Sequence, residues 1–176
     1  MPKLSFVYKK DGLLEIYKDA CRNLKVPFDS NDFLKNYPPQ DIDPTSWVEL
    51  WKINEKDIIA DIEKAYRSFP DGEITIGLFP KRDIFWKFLF QKSYKGYTFG
   101  YFNINKAAII LFPSIPTIQG RVFSFRVLIH ELFHANDALY QEFDWMKDEE
   151  KHKWYDEQAW EISKKYFRYI PPPSQI

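Results

Sequence analysis

Cysteine and glycine are scarce in this sequence, and both shortages narrow what the protein can be. The single cysteine, Cys21, excludes an intrachain disulfide and favours a reducing compartment. It falls among apolar residues at helical spacing, so we expect it to pack in the core rather than to react. Six glycines leave little flexible linker, and a length of 176 residues suits one domain over 1–176.

Long apolar runs and an excess of charge of one sign are also absent. No stretch approaches the ~20 apolar residues of a membrane-spanning helix, and the first residues lack the apolar run of a signal peptide. Lys and Arg together number 25, as do Asp and Glu. This balance gives no reason to expect nucleic acid or a membrane as a partner. The lack of a signal peptide and of a membrane-spanning run leads us to expect a cytoplasmic protein, with non-classical export as the alternative and an oligomeric state that the sequence does not reveal.

Hydrophobic periodicity predicts helices at both ends of the chain and strands between them. Apolar residues at helical spacing predict helices at 11–24, 30–34, 47–51, 54–69, 121–141 and 147–168. The second helix has Asp29 or Ser30 as a possible N-cap, and Asn54 is the expected N-cap of the fourth. Alternating or β-branched runs predict strands at 73–79, 97–103 and 106–112. The aromatic run 83–90 is ambiguous, with helix preferred.

The order of these elements indicates an α+β fold. A small, mostly antiparallel sheet is expected to pack on one side of the helix at 121–141. Residues 1–70 form a helical N-terminal part, and 73–168 form the core of the domain. The proline-rich end, 169–176, is predicted to be an extended tail.

The most specific chemical pattern is His130-Glu131-Leu-Phe-His134. Two histidines four residues apart share one face of a helix, so both imidazoles can reach a single ion. Buried polar groups on a helix this apolar need partners, and a metal would satisfy both rings. The pattern therefore predicts one zinc ion held by His130 and His134, with Glu131 beside it as a proton acceptor.

Catalytic zinc takes three protein ligands and keeps one position open, so a third ligand must come from elsewhere. We select Glu157, because Glu157 and Glu161 lie opposite the expected core stripe of the final helix. As like charges four residues apart they disfavour each other in water, and metal binding would relieve that repulsion. His152, Asp156 and Glu161 remain alternatives. Glu161 is otherwise expected to orient a ligand imidazole.

His130-Glu131-x-x-His134 followed by Glu157 and Glu161 resembles the gluzincin metallopeptidases. The run Gly96-Tyr-Thr-Phe-Gly100 and the residues before His130 are similar to small single-domain members, the minigluzincins. The resemblance spans 73–168. It implies a zincin-like fold and a zinc-dependent peptidase, with a metal-activated water, Glu131 as general base and a polypeptide substrate.

The resemblance also implies where the substrate binds. A peptide would pair in extended form with the strand that contains Phe99, Gly100 and Tyr101. The donor that stabilises the oxyanion is left open between Tyr155, His152 and Tyr166. The alternative to a peptidase is a zincin-like metal-binding domain that acts as a non-catalytic binding or regulatory module.

Overall fold

A computed structural model of the protein describes residues 1–39, 42–88, 96–101, 105–114, 116–142 and 149–166. These residues form an α+β structure, as predicted from the sequence. The strands are β1 (Lys3–Val7), β2 (Glu73–Leu78), β3 (Gly96–Gly100) and β4 (Lys106–Leu111). The helices are α1 (Lys10–Leu24), α2 (Ser30–Lys35), α3 (Thr45–Ala65), α4 (Ile118–Leu139) and α5 (Glu149–Ser163), with a 3-10 turn at Arg82–Phe85.

The sheet is mixed, and the prediction of a mostly antiparallel sheet is wrong. The described strands lie in the order β1-β2-β4-β3, with β1 and β4 both parallel to β2. Only the pair of β3 and β4 is antiparallel among these strands. Two features explain the difference: β1 has only five residues and pairs with a strand about 70 positions away, and β4 lies between β2 and β3 and pairs with both. Every residue of β4 after Lys106 is buried, which is typical of a strand covered on both faces.

Helices cover both faces of the sheet and create two apolar cores. On one face, α3, α4 and α5 pack against alternate residues of β2 and β4, including Ile76 and Ile109. On the other face, α1, α2 and the 3-10 turn enclose Tyr97, Phe99 and Ile110. The alternation of side chains along β3 and β4 separates the two cores.

The helices at the N-terminal end agree with prediction, with one exception. Asp29 caps α2 by accepting a hydrogen bond of 2.9 Å from the backbone N–H of Asn31. Cys21 is buried in α1, as expected. Asn54 is not an N-cap, because α3 is one continuous helix and Asn54 donates its side-chain N–H to the Leu50 carbonyl. Part of 83–90 and the tail 169–176 lie outside the described residues.

α4 is the helix on which the site is built. Thr117 caps its start by accepting a hydrogen bond of 3.0 Å from the backbone N–H of Gly120. The apolar residues of α4 and the core residues of α5, such as Tyr155 and Ala159, are buried against each other and the sheet. Within the described ranges, no helix is both long and apolar enough to cross a membrane.

Candidate metal site

The candidate site is a polar seam between α4 and α5. Residues one turn apart on α4 face residues one turn apart on α5 in reverse order, so the two helices run antiparallel. The α4–α5 seam consists of three such pairs: Arg126 with Trp160, His130 with Asp156, and His134 with His152. The seam lies next to the buried apolar residues of both helices, so its polar side chains are at the border of the core.

Three histidines converge at one end of the seam. The ligand nitrogens of His130, His134 and His152 all lie within 4.8 Å of one another. The Nε2 atoms of His130 and His134 are 3.0 Å apart. Tetrahedral zinc with Zn–N distances of about 2.0–2.1 Å separates two ligand nitrogens by roughly 3.3 Å. The spacing of the His130 and His134 nitrogens is therefore close to that of two ligands of one ion.

Asp156 contacts the far side of the His130 ring. Its Oδ1 atom lies 2.8 Å from His130 Nδ1, while Nε2 of the same ring faces His134. A carboxylate at Nδ1 favours a proton on that nitrogen and leaves the Nε2 lone pair available for a metal. Burial opposes protonation of His130, but Asp156 and the charge of Glu131 together raise the pKa of the imidazole.

The local electrostatics differ between the other two residues of the motif. Burial, and then the neighbouring imidazoles and Lys151, lower the pKa of His134, so its ring is neutral and able to bind a metal. Burial raises the pKa of Glu131, and His130 and Thr98 only partly offset that effect. A carboxylate with a raised pKa is a better proton acceptor than an exposed one.

The side chain of Glu131 lies against the first residues of β3. Its carboxylate accepts a hydrogen bond from the Thr98 hydroxyl. Gly96 allows this approach, because a Cβ atom there would lie 3.0 Å from Glu131 Cγ and 3.1 Å from Val127 Cγ1. The edge of the described sheet is thus in direct contact with the predicted base, on the face that packs against α4.

The two acidic residues predicted from the sequence lie outside this group. Glu157 is exposed and does not belong to the cluster of three histidines. Glu161 is exposed and accepts a hydrogen bond of 2.9 Å from Lys164. The carboxylate that contacts a candidate ligand imidazole belongs to Asp156. Glu157 is one position beyond Asp156, and that step rotates a helical side chain by about 100°.

Replacing Asp156 with Asn is expected to weaken metal retention, whereas Glu161→Gln should not. Loss of the carboxylate at His130 Nδ1 removes the group that fixes the ring tautomer, which typically costs roughly 10–100-fold in metal affinity. Glu161→Gln makes the same chemical change on the same helix, at a carboxylate without a histidine contact. Competition with a chelator measures both affinities. Equal affinities in the two variants would show that Asp156 does not orient His130.

The predicted substrate residues lie at the end of β3 and just after it, and they make contacts within the fold. The side chain of Phe99 is buried in the second core, and the Tyr101 hydroxyl donates to Asp19 at 2.8 Å. The Gly100 carbonyl accepts a hydrogen bond of 3.3 Å from Asn23. Only backbone groups of β3 therefore remain for pairing with a peptide.

The two tyrosines considered as oxyanion donors are also engaged. Tyr155 is fully buried, and its hydroxyl donates to Asp137. Tyr166 donates to Asp61 at 2.8 Å. His152, the remaining residue considered for that role, belongs to the histidine cluster.

Asp137, one turn after His134, is the centre of a buried polar network. Its fully buried carboxylate accepts from Tyr66 at 2.7 Å, from Arg67 at 2.8 Å and from Tyr155, and Lys151 Nζ lies 3.2 Å away. Lys151 and Tyr155 flank His152 in α5. The network thereby fastens the start of α5 to the end of α4, where the histidines meet.

The sequence contains a local signal for Asp156 and Arg126. Arg126 precedes His130 by four residues, and Asp156 follows His152 by the same interval, so each lies on the line of a histidine along its helix. Applying the four-residue spacing to both helices would have selected Asp156. The contacts of Thr98 and Asp137 depend on long-range packing and have no comparable signal.

Comparisons of this chain with protein-family models, curated proteins and solved structures found no match. The chemistry of the site therefore rests on the residues themselves. These are three imidazoles close enough to share an ion, with Asp156 behind one of them and Glu131 alongside.

Proposed function

We propose that the protein is a metal-dependent hydrolase, and specifically a zinc peptidase, with its metal held by His130, His134 and His152. The observation that supports this most strongly is the convergence of three imidazole nitrogens within 4.8 Å of one another, next to the buried carboxylate of Glu131. A zinc site with three histidines and one open position is an established catalytic arrangement.

The donor set fits zinc better than it fits a hard cation. Imidazole nitrogen is a ligand of zinc and other late transition metals, whereas calcium and magnesium prefer oxygen. The lowered pKa of His134 supports binding, since that ring does not have to lose a proton first. Asp156 Oδ1, 2.8 Å from His130 Nδ1, places a carboxylate where metal-bound imidazoles usually have one.

In this proposal each residue of the chain has one task. The bound ion would supply Lewis acidity and lower the pKa of a water molecule. Glu131 takes the proton of that water and passes it to the leaving amine. The Thr98 hydroxyl holds the Glu131 carboxylate in place, and Asp156 holds His130. Burial raises the pKa of the Glu131 carboxylate, which favours its role as a proton acceptor.

A peptide substrate is supported by the edge position of β3. Tyr101 N–H donates to Lys106 O, and β3 pairs with β4 in antiparallel register. Because backbone groups alternate between the two sides of a strand, those of Thr98 point away from β4. Thr98 thus combines outward backbone groups with a side chain that contacts Glu131. An extended peptide paired there would pass close to the base.

The non-catalytic alternative is favoured by one observation. Every residue of β3 is buried, so an incoming peptide must first displace what covers this edge. A metal-binding module has no such requirement. The two functions differ in what they need from Glu131, since a scaffold that only holds a metal has no use for a proton acceptor.

Metal retention in His152→Ala, compared with Glu157→Ala, tests the proposed ligand set. His152→Ala removes a proposed ligand and should lower metal affinity by more than the roughly 10–100-fold that loss of an outer partner costs. Glu157→Ala should leave affinity unchanged, because Glu157 is exposed and outside the cluster. Metal content is measured by elemental analysis after dialysis against a chelator. The reverse order of effects would restore Glu157 as the third ligand. If the purified wild-type protein contained no bound metal, that result would contradict the proposed function itself.

A further inference from the structure

Arg126 is a buried cation whose guanidinium lacks a full set of partners. The residue is only 7% exposed, and its Nη1 atom has no hydrogen-bond partner among the described residues. Its guanidinium lies 5.2 Å from the centre of the Trp160 ring. Burial lowers its pKa, and the charge of Asp156 opposes that shift. A buried charge without a hydrogen-bonded counter-ion is costly, and such groups are typical of binding sites.

The position of Arg126 relates it to the proposed metal centre. It lies on the same line of α4 as His130 and His134, one turn before His130. Four residues of helix rise about 6 Å, and two residues of an extended peptide span roughly 7 Å. A negative group within about two residues of the bond to be cleaved is therefore within reach of Arg126.

We propose that Arg126 binds a carboxylate of the substrate, so that the enzyme selects peptides with a negative charge close to the cleaved bond. This inference rests on the proposed function. A guanidinium suits the role because it forms two parallel hydrogen bonds with a carboxylate. Asp156 acts on Arg126 through its charge, but its Oδ1 atom lies 2.8 Å from His130 Nδ1 and no hydrogen bond joins Asp156 to Arg126 Nη1. The carboxylate comes either from the C-terminus of a peptide or from an acidic side chain, and the experiment separates these sources.

The test uses thiol peptides that bind the metal and are not cleaved. The cobalt-loaded protein is titrated with three thiols. Mercaptoacetyl-leucyl-alanine carries a C-terminal carboxylate, and mercaptoacetyl-leucyl-alaninamide carries no carboxylate. Mercaptoacetyl-glutamyl-alaninamide carries its carboxylate in the side chain. The thiolate–cobalt absorption band reports binding. We expect one or both carboxylates to bind about 10–100-fold more tightly than the neutral amide, as for hydrogen bonds to charged groups. The thiol that shows the preference identifies the source of the carboxylate.

Variants assign the preference to Arg126. In Arg126→Met the advantage of the carboxylate should fall to within about threefold, and in Arg126→Lys it should be intermediate. Arg121→Met removes an exposed guanidinium from the same helix and should keep the full preference. Arg126→Met should melt no lower than wild type, because it removes an incompletely paired buried charge.

Three results would overturn the inference. The first is equal binding of all three thiols to wild-type protein, and the second is a carboxylate preference that survives in Arg126→Met. The third is a clearly lower melting temperature of Arg126→Met, which would make the arginine a structural residue. Metal content is measured before any thiol is added. A chain that holds no cobalt or zinc refutes the proposed function and this inference together, whereas tight thiol binding without a preference refutes only the inference.

Discussion

Glu131→Gln is expected to lower kcat for peptide hydrolysis by roughly 10²–10⁴-fold, the usual contribution of a general base. Glutamine has nearly the same shape, so its side chain can still lie between Gly96 and Thr98 and accept the Thr98 hydrogen bond. It cannot accept a proton from water. The metal should stay bound, because the proposed ligands His130, His134 and His152 are unchanged. Cleavage of a mixed peptide library, followed by mass spectrometry, measures the rate, and elemental analysis measures the metal.

The matched control for this substitution is Glu161→Gln, which removes the charge of an exposed carboxylate on α5 and should leave both rate and metal content intact. Unchanged hydrolysis in Glu131→Gln would assign the base to another residue. A wild-type protein that holds metal but cleaves no member of the library would favour the non-catalytic module, for which the burial of β3 is the supporting observation.

The helices were predictable because their signals are local. Apolar spacing located α1, α4 and α5 to within a few residues, and the cap of α2 was correctly placed at Asp29 or Ser30. The division of α3 was wrong because Asn54 resembles a cap, although packing of the helix overrides that preference. The strand pairing of the sheet was less predictable than the helices. β1 pairs with residues about 70 positions away, and nothing near Lys3–Val7 indicates that partner.

The part of the site that lies on one helix could be predicted from the sequence, whereas the part that depends on the packing of two helices could not. His130, Glu131 and His134 lie on one helix, so their spacing determines that the two imidazoles share a face. The third ligand depends on which side of α5 faces α4, a property of the packing of two helices. The like charges of Glu157 and Glu161 favoured the side of α5 that the structure leaves exposed, where such a pair costs little. Burial of Tyr155 and Ala159 turns His152 and Asp156 toward α4.

Asp137→Ala is expected to lower the free energy of unfolding by about 3 kcal/mol, the low end of the range for removing one partner of a buried charge network. Its fully buried carboxylate accepts from Tyr66, Arg67 and Tyr155, and Lys151 Nζ lies within 3.2 Å. The loss is at the low end because Arg67 retains Glu142 as a partner at 2.9 Å. Urea unfolding of the metal-free protein measures the change. Asp137→Asn should lose less, since one acceptor oxygen remains.

The same substitution should also weaken metal binding, which separates this network from an ordinary stabilising contact. Lys151 and Tyr155 hold the first turns of α5 through Asp137, and His152 lies between them. Without the carboxylate, the third imidazole is less firmly placed, so chelator competition should extract zinc more readily from Asp137→Ala than from wild type. Glu161→Ala, which breaks an exposed pair with Lys164, provides the control and should change stability by no more than about 0.5 kcal/mol. If Asp137→Ala lost stability but held zinc as tightly as wild type, the anchoring of α5 would not position His152.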